Sequence, residues 1–387
     1  MGVKIQQINI WKELKETELP IVLYGAGGQG QRVFKYLRNN GINPVCFCET
    51  KHEKDYKIFD VEVLSYFQLR KRFEKFILII SVLPKKAREI LQYLEQNGEK
   101  NTVIPLCIPY KIEDAFIEEE IDKEKLEEFN LIYNLFEDDL SKKVFNKLIH
   151  FKRSGNGMNL LDDIAGDSFF DDPILPKKHQ YCYIDCGAYT GDTIIKFLQF
   201  NGLHYEKIIG VEMEKGNFRS LMNFINYAKL EKVGLYNFAL DDKKGYVAYY
   251  TKSDYNFFNA NLFREFDQVS SIQEKKLMKE SGTKGIKELV EAITLDELVE
   301  KEETKGCRFD NTIIKLNAMC ADYKIIKGSQ KLINKYKPIF IIDYGTSPEH
   351  IIDIPLLLKS INENYKFYLR QKNVFGDSKS ILYCIYK

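Results

Sequence analysis

The chain has 387 residues, which is too many for one ordinary hydrophobic core and predicts two domains or slightly more. A formal net charge of +1 does not favour nucleic acid or an anionic membrane as a partner. The sequence contains no apolar run long enough to span a bilayer and no signal-peptide segment at its start, and its eight cysteines suit a reducing compartment. We therefore expect a cytoplasmic protein.

The first predicted domain is a Rossmann-like nucleotide-binding module over residues 1–110. The strand Ile21–Tyr24 leads into Gly25-Ala-Gly-Gly-Gln-Gly30 and a helical pattern, which is Gly-x-Gly-x-x-Gly in its proper context. The strand Pro44–Glu49 ends in an acid 19 residues past Gly30 (49 − 30), near the position of a ribose-binding acid. A strand over 76–81, a helix over 85–97 and a strand over 101–105 follow. The predicted ligand is a nucleotide or NAD, and the predicted site comprises Gly25, Gly27, Gly28, Gly30 and Glu49.

A helical connector is predicted over residues 111–177. Charged residues with apolar residues at helical intervals predict helices within 113–140 and over 141–151, and Ser154-Gly-Asn-Gly157 ends them. We interpret the charges as a solvated helix face.

The second α/β domain is predicted over residues 178–387. Its helices begin near Thr190, Gly216 and Pro355. Its predicted strands are Tyr181–Asp185, Lys207–Glu212, Val233–Ala239, Tyr246–Tyr250, Thr312–Leu316, Pro338–Asp343, Tyr365–Arg370 and Ile381–Ile385.

The most informative segment of this domain is a glycine turn between two apolar strands. Asp185 and Glu212 are 27 positions apart (212 − 185), which places both carboxylates at the carboxyl ends of neighbouring parallel strands. Gly187 and Gly191 allow a sharp turn and the close approach of a ligand. An acid at the second strand end can accept both ribose hydroxyls, and no phosphate-cradling P-loop motif is present. The pattern predicts S-adenosylmethionine; a purely structural turn is the competing interpretation.

The second domain resembles the FkbM family of S-adenosylmethionine-dependent methyltransferases. The matching segments are Asp185-Cys-Gly-Ala-Tyr-Thr-Gly-Asp-Thr193, Val211-Glu212, Asn237-Phe-Ala-Leu-Asp241, Thr294-Leu-Asp-Glu-Leu298, Ile314-Lys-Leu316, Ile326-Lys-Gly328 and Lys337-Pro338, with Asp172-Pro-Ile-Leu175 ahead of them. The first domain resembles, less closely, the small nucleotide-binding modules fused to sugar-modifying enzymes.

This resemblance implies an α/β chain of two Rossmann-like domains joined by a helical connector, with a class I methyltransferase fold in the second. It implies O-methyl transfer to a sugar or glycan-related acceptor. The cofactor-binding residues that it implies are Asp185, Gly187, Ala188, Tyr189, Gly191, Asp192, Thr193, Glu212 and Asp241.

One segment departs from the family pattern. After Leu316 the family carries Asp-x-Glu-Gly-x-Glu, whereas this chain has Asn317-Ala-Met-Cys-Ala-Asp322. An amide can orient a hydroxyl but cannot accept its proton, and a thioether is no ligand for a hard cation such as Mg²⁺. We therefore predict no metal site. The remaining candidates for catalysis are Asn317, Asp322, Asp343 and Tyr344, with His350 as a further candidate.

Three hypotheses follow from these patterns. The first is the methyltransferase, which would take a small-molecule or glycan acceptor and has ample surface for a homodimer. The second is a catalytically degenerate descendant that serves as a binding or regulatory partner in glycan assembly. The third is an oxidoreductase or epimerase activity of the first domain, although that domain lacks the Tyr-x-x-x-Lys of sugar-nucleotide epimerases.

Overall fold

The computed structural model describes residues 2, 10–51, 56–82, 84–105, 122–154, 160, 162–170, 173–177, 180–251, 263–266, 286–318, 321–345, 350–374 and 377–387. The chain divides into two units. The first unit comprises Met1–Ser168, Tyr344–Ile352 and Tyr368–Ile381, and the second comprises Phe169–Asp343, Asp353–Phe367 and Leu382–Lys387. The three-part division into 1–110, 111–177 and 178–387 stays a prediction.

The first unit contains a six-stranded sheet with helices interleaved along the chain. Its strands follow the order β3-β4-β2-β1-β5-β6, and all neighbouring pairs are parallel except β3 with β4. The elements are α1 (Ile10–Glu16), β1 (Ile21–Tyr24), α2 (Gly28–Asn39), β2 (Cys46–Glu49), β3 (Tyr56–Ile58), β4 (Val61–Ser65), α3 (Tyr66–Arg72), β5 (Ile77–Ile80), α4 (Pro84–Gln96), β6 (Thr102–Pro105), α5 (Lys123–Leu135) and α6 (Asp139–Ser154).

Strands β1 and β5 are apolar along their whole length because both faces of the sheet are covered. Strand β1 lies between β2 and β5, so the strand order reverses around it and the first glycine turn follows at its carboxyl end. Gly25 has a φ of +120°, and a Cβ on Gly30 would lie 1.7 Å from the Gly25 carbonyl oxygen. These two glycines are therefore required by the packing of α2 against the turn.

Four elements of the first unit were not predicted from the sequence, namely α1, β3, β4 and α3. The start of α3 carries a usable signal, because Ser65 and Gln68 form a capping box in which each side chain accepts the other residue's backbone N–H. The two short strands have no comparable signal. Strand β3 is largely exposed and pairs only with β4 at the edge of the sheet.

Helix α6 is fixed to the strand segment around Arg370 within the first unit. The Arg370 guanidinium donates to both carboxylate oxygens of Asp138, at 3.1 and 2.7 Å. Burial of Asp138 opposes its ionisation, but the Arg370 and Ser141 donors outweigh it and lower the pKa of Asp138 to about 2. The two helices α5 and α6 lie where the charged pattern predicts helices.

The second α/β region is built around a seven-stranded sheet. Its elements are β7 (Cys182–Cys186), α7 (Asp192–Asn201), β8 (Lys207–Val211), α8 (Lys215–Tyr227), β9 (Val233–Tyr236), β10 (Ala239–Leu240), β11 (Gly245–Thr251), β12 (Phe263–Phe266), β13 (Ile286–Ile293), α9 (Leu295–Glu303), β14 (Thr312–Leu316), α10 (Asp322–Lys327), α11 (Gln330–Tyr336), β15 (Ile339–Tyr344), α12 (His350–Ile361), β16 (Tyr365–Val374) and β17 (Asp377–Tyr386). The strand order is β16-β17-β15-β14-β7-β8-β9, with parallel pairing from β15 through to β9. A four-stranded sheet, β10-β13-β11-β12, accompanies it.

Strands β8 and β9 follow β7 in the sequence and lie on one side of it in the sheet, whereas β14 and β15 lie on its other side. The order therefore reverses between β7 and β14, and their carboxyl ends form the switch point where open α/β sheets bind ligands. Strand β7 is buried at every position.

Two predicted boundaries in this region were wrong. The strand predicted over 233–239 is broken, because the Asn237 side chain donates to the Glu212 and Met213 carbonyls and the chain then joins the second sheet as β10. The helix predicted from Pro355 begins at His350. Pro355 cannot donate to the Ile351 carbonyl four residues earlier, and the Tyr344 hydroxyl donates to that carbonyl instead. Five further elements were missed, namely β12, β13, α9, α10 and α11.

Candidate functional site

The second glycine turn follows β7 and is attached to the end of β8. The backbone N–H groups of Gly187 and Ala188 donate to the Val211 carbonyl at 3.0 and 2.9 Å. Gly187 and Gly191 have φ angles of +82° and +93°, which side-chain-bearing residues adopt only with strain. A Cβ on Gly187 would lie 2.4 Å from the Asn317 carbonyl oxygen. The turn and the end of β14 are therefore in direct contact.

Asp185 lies beneath this turn with its carboxylate inside the protein. The residue is 0% exposed. Its carboxylate accepts hydrogen bonds from the Tyr183 hydroxyl at 3.1 Å, from the Thr193 hydroxyl, and from the Lys315 ammonium at 2.9 Å. Three donors on one carboxylate offset much of the cost of burying its charge. The geometry gives Asp185 the role of bracing the turn from below.

Glu212, directly after β8, is the acid that borders the turn. Its two carboxylate oxygens accept from the N–H groups of Tyr189 and Glu214, both at 2.9 Å. Burial raises the pKa of Glu212, although the two N–H donors oppose this effect. Each carboxylate oxygen has two lone pairs, so both can accept one more hydrogen bond. Glu212 can therefore accept two neighbouring hydroxyls.

The turn carries an unfavourable backbone conformation at Tyr189, whose φ is +50°. A bulky residue in the left-handed region costs about 1–3 kcal/mol and persists only where the surrounding structure enforces it. The Tyr189 N–H is bound to Glu212, and the Gly191 N–H donates to the Ala188 carbonyl at 2.9 Å. The Gly187 and Ala188 N–H groups donate to the Val211 carbonyl, so four N–H groups of the turn already have hydrogen-bond partners within the protein. The turn is thus poorly suited to a phosphate and better suited to a ligand without one.

The other predicted cofactor residues occupy different surroundings. Ala188 and Thr193 are buried, and Asp192 begins α7 with a pKa that burial raises. Asp241 follows β10 and lies near α10. Its carboxylate accepts from the Asp242 N–H at 2.7 Å and lies 3.8 Å from the Lys324 ammonium.

Of the four candidate catalytic residues, three are buried. Asp322 is 1% exposed and accepts the Ala318 N–H at 3.0 Å. Asp343 and Tyr344 are also buried, and the Tyr344 hydroxyl is engaged by the Ile351 carbonyl. Asn317 is only partly buried and lies against the glycine turn. Asn317 is therefore the candidate best placed to meet a substrate, whereas Met319 and Cys320 lie outside the described residues.

The first glycine turn is packed differently from the second. Cβ atoms built on Gly27 and Gly28 meet nothing within 4 Å, whereas Gly25 and Gly30 are in close contact with their surroundings. Glu49, at the end of β2, is partly buried. The turn therefore leaves open space in front of the amino terminus of α2.

Sequence reasoning assigned no role to Lys315, although it lies within a matching segment. This residue is a lysine in an otherwise apolar or hydroxyl-bearing strand, Thr312–Leu316, and it is 2% exposed. A charge in the interior of a buried strand is the signal that could have identified it. Its ammonium donates to Asp185 and, at 2.8 Å, to the Gly187 carbonyl.

Two features are absent from the described part of the chain. None of the helices there is both long and apolar enough to cross a membrane. Within the same residues, His, Cys, Asp and Glu side chains form no group of three or more that could hold a metal ion.

The parallel sheet, the glycine turn at its switch point and the acid after the next strand define the Rossmann-like class I methyltransferase fold. Residues 185–367 match the family model described as the methyltransferase FkbM domain. This part of the chain is accordingly a methyltransferase FkbM domain. No curated protein sequence matches the chain.

Among solved structures, the chain is similar to the methyltransferase FkbM from Methylobacillus flagellatus KT. The identity is 13% and the TM-score 0.69, over 98% of this chain and 94% of that chain, so the fold is shared over nearly the full length. Fibrillarin from Aeropyrum pernix, solved with natively bound S-adenosyl-L-methionine, is 10% identical with a TM-score of 0.31, over 55% and 69% of the two chains. Precorrin-6y C5,15-methyltransferase from Geobacter metallireducens is 10% identical with a TM-score of 0.28, over 54% and 82%. The last two scores are too low to support an argument.

The hydrogen bond from Thr193 to the buried Asp185 carboxylate predicts a measurable stability effect. Thr193→Val keeps the shape of the side chain but removes the donor, so we expect unfolding free energy to fall by about 1.5–3 kcal/mol. Thr193→Ser keeps the hydroxyl and serves as the control. Urea denaturation compares the two variants. Equal midpoints would show that this hydrogen bond contributes nothing.

Proposed function

We propose that the chain is an S-adenosylmethionine-dependent O-methyltransferase acting on a sugar or glycan-related acceptor. The observation that carries the cofactor is Glu212, which borders a glycine turn in which four N–H groups already have partners. A dinucleotide or nucleoside triphosphate would need those N–H groups for its phosphates. An adenosyl ligand needs instead an acceptor for its ribose hydroxyls.

The residues present fit such a cofactor. Glu212 would accept the ribose hydroxyls, and the turn Gly187–Gly191 would lie beside the ligand with Asp185 bracing it from below. When bound, S-adenosylmethionine supplies a methyl group on a positively charged sulfur. The carboxylates of Glu212 and Asp192 would favour that charge, and both have pKa values raised by burial, which a cationic ligand would lower.

The acceptor side of the proposal rests on Asn317. The Asn317 side-chain carbonyl can accept a hydrogen bond from the hydroxyl group that is to be methylated, and this bond would orient the hydroxyl oxygen. The amide cannot remove the proton, so this chain would rely on orientation for much of its rate enhancement. A sugar or glycan-related acceptor is proposed from the family resemblance. A homodimer and a cytoplasmic site of action stay predictions.

The cofactor proposal predicts a specific effect of Glu212→Gln. The amide offers one carbonyl acceptor and no charge, so we expect affinity for S-adenosylhomocysteine to fall about ten- to hundredfold, the equivalent of one charge-assisted hydrogen bond. Glu214→Gln makes the same chemical change at the residue that caps α8, where a glutamine oxygen can still accept the Asn217 N–H. Isothermal titration compares both variants with the unmodified chain.

The same titration has a pH dependence. Ionised Glu212 accepts ribose hydroxyls best, so affinity should fall as pH is lowered through its raised pKa, and Glu212→Gln should flatten this profile. If the folded, unmodified chain releases no heat with S-adenosylmethionine or S-adenosylhomocysteine, the cofactor proposal is wrong.

The second candidate function is a catalytically degenerate methyltransferase that acts as a binding or regulatory partner in glycan assembly. The observation that favours it is the neutral Asn317 beside the turn, with Asp322, Asp343 and Tyr344 buried. Such a protein would retain the ligand site without transferring a methyl group.

Restoring the two family acids distinguishes the two functions. We expect Asn317→Asp with Met319→Glu to raise methyl transfer, because a positioned base contributes about 10²–10⁴-fold. The assay follows S-adenosylhomocysteine release with a panel of sugars, and Asn317→Asp alone serves as the intermediate control. Turnover by the unmodified chain would exclude the degenerate protein, whereas turnover by the double variant alone would support it.

For the first unit we propose a nucleotide or NAD site at the turn Gly25–Gly30 with Glu49. The open space in front of Gly27 and Gly28 supports it, since the second glycine of this fingerprint admits a pyrophosphate. Gly27→Val should fold normally, because its Cβ meets no atom within 4 Å and its backbone is extended, but should fill that space. We expect the unmodified chain to bind NADH in a fluorescence titration and Gly27→Val to bind it at least tenfold more weakly. No binding by the unmodified chain at about 1 mM NADH would remove this site.

A further inference from the structure

We propose that Lys315 is a positioning residue that sets the glycine turn against the strand end carrying Asn317. The proposal rests on the proposed function, because it assigns the turn to cofactor binding. The buried Lys315 ammonium lies on β14, the strand that leads to Asn317. It controls the shape of the glycine turn that follows the neighbouring strand, β7.

The sheet register brings the lysine to this place. Lys315 on β14 pairs with Asp185 on β7, so the two side chains leave neighbouring parallel strands on the same face. The Lys315 side chain then extends past the end of β7. Its ammonium has three donors, of which one binds Asp185 and another the Gly187 carbonyl. One side chain thus binds both the base of the turn and the turn itself.

Charge neutralisation of Asp185 does not by itself account for this arrangement. A neutralising cation would need to contact only that carboxylate, which also accepts hydrogen bonds from the neutral Tyr183 and Thr193 hydroxyls. The bond from Lys315 to the Gly187 carbonyl involves no opposite charge, and it fixes the orientation of the peptide that follows Gly187. That peptide leads into Ala188 and the unfavourable φ of Tyr189, which the surrounding structure must enforce.

The same lysine relates the turn to Asn317. Lys315 precedes Asn317 by two residues on the same chain segment, and the Asn317 carbonyl lies against Gly187. The Asn317 N–H in turn donates to the Cys186 carbonyl at 3.2 Å. These contacts between the turn and the end of β14 would therefore set the distance between a bound cofactor and Asn317, and Lys315 supplies a charged donor to them. Loss of the ammonium should loosen the turn and displace it from Asn317.

The test compares three variants with the unmodified chain. Lys315→Met removes the ammonium and keeps an unbranched side chain, Asp185→Asn removes the carboxylate charge, and the double variant removes both charges. The readouts are thermal unfolding, hydrogen exchange of the amides of residues 187–193, and the affinity for S-adenosylhomocysteine. Lys315→Met leaves a buried carboxylate without its cation and should be the least stable.

The double variant is the decisive one, since it has no uncompensated charge and should unfold at a higher temperature than Lys315→Met. We expect it nevertheless to exchange the amides of residues 187–193 at least tenfold faster than the unmodified chain and to bind S-adenosylhomocysteine about tenfold more weakly. Asp185→Asn, which keeps the lysine bond to the Gly187 carbonyl, should show a smaller change in both. Normal exchange and affinity in the double variant would overturn the proposal and leave Lys315 as a counter-ion.

The outcomes for Lys315 and for the cofactor are separable. If the unmodified chain does not bind S-adenosylhomocysteine, the proposed function fails. Faster exchange of the turn in the double variant would still support the positioning role of Lys315. Unchanged exchange would overturn it whether or not the ligand binds.

Discussion

The buried ion pair between Lys315 and Asp185 is the interaction on which the arrangement of the switch point depends. Burying two charges costs more than their attraction returns unless the remaining donors and acceptors are satisfied. Here the Tyr183 and Thr193 hydroxyls and the Gly187 carbonyl complete the set. The pair therefore stabilises one particular geometry, in which the ends of β7 and β14 meet around the glycine turn.

From this constraint follows a separation of roles among the acids of the site. Asp185 faces inwards and supports the turn, whereas Glu212 borders the turn with acceptor capacity to spare. The two glycine turns of the chain differ in the same way. Gly187 and Gly191 are pressed against protein atoms, whereas Gly27 and Gly28 face open space. Similar glycine patterns thus serve an adenosyl ligand in one proposed site and a phosphate-bearing ligand in the other.

Much of the fold was predictable because strand and helix signals are local. The strands at Ile21–Tyr24 and Thr312–Leu316 were predicted at their observed bounds, since continuous apolar runs between turn residues indicate buried strands. The role of Tyr344 was not predictable. Its hydroxyl satisfies the Ile351 carbonyl that Pro355 leaves free, and only the folded chain shows that this tyrosine is engaged in structure.

By itself, the sequence determined the α/β alternation, the turn at Asp185–Thr193 and the placement of Glu212 at the next strand end, because these depend on neighbours within about one βαβ unit. The tertiary structure alone decided what those residues contact. Asp185 and Lys315 are 130 positions apart, and they meet only because the strand order places β14 beside β7. Strand order is a property of the whole sheet, since every pairing depends on the others. No local pattern in the sequence contains it.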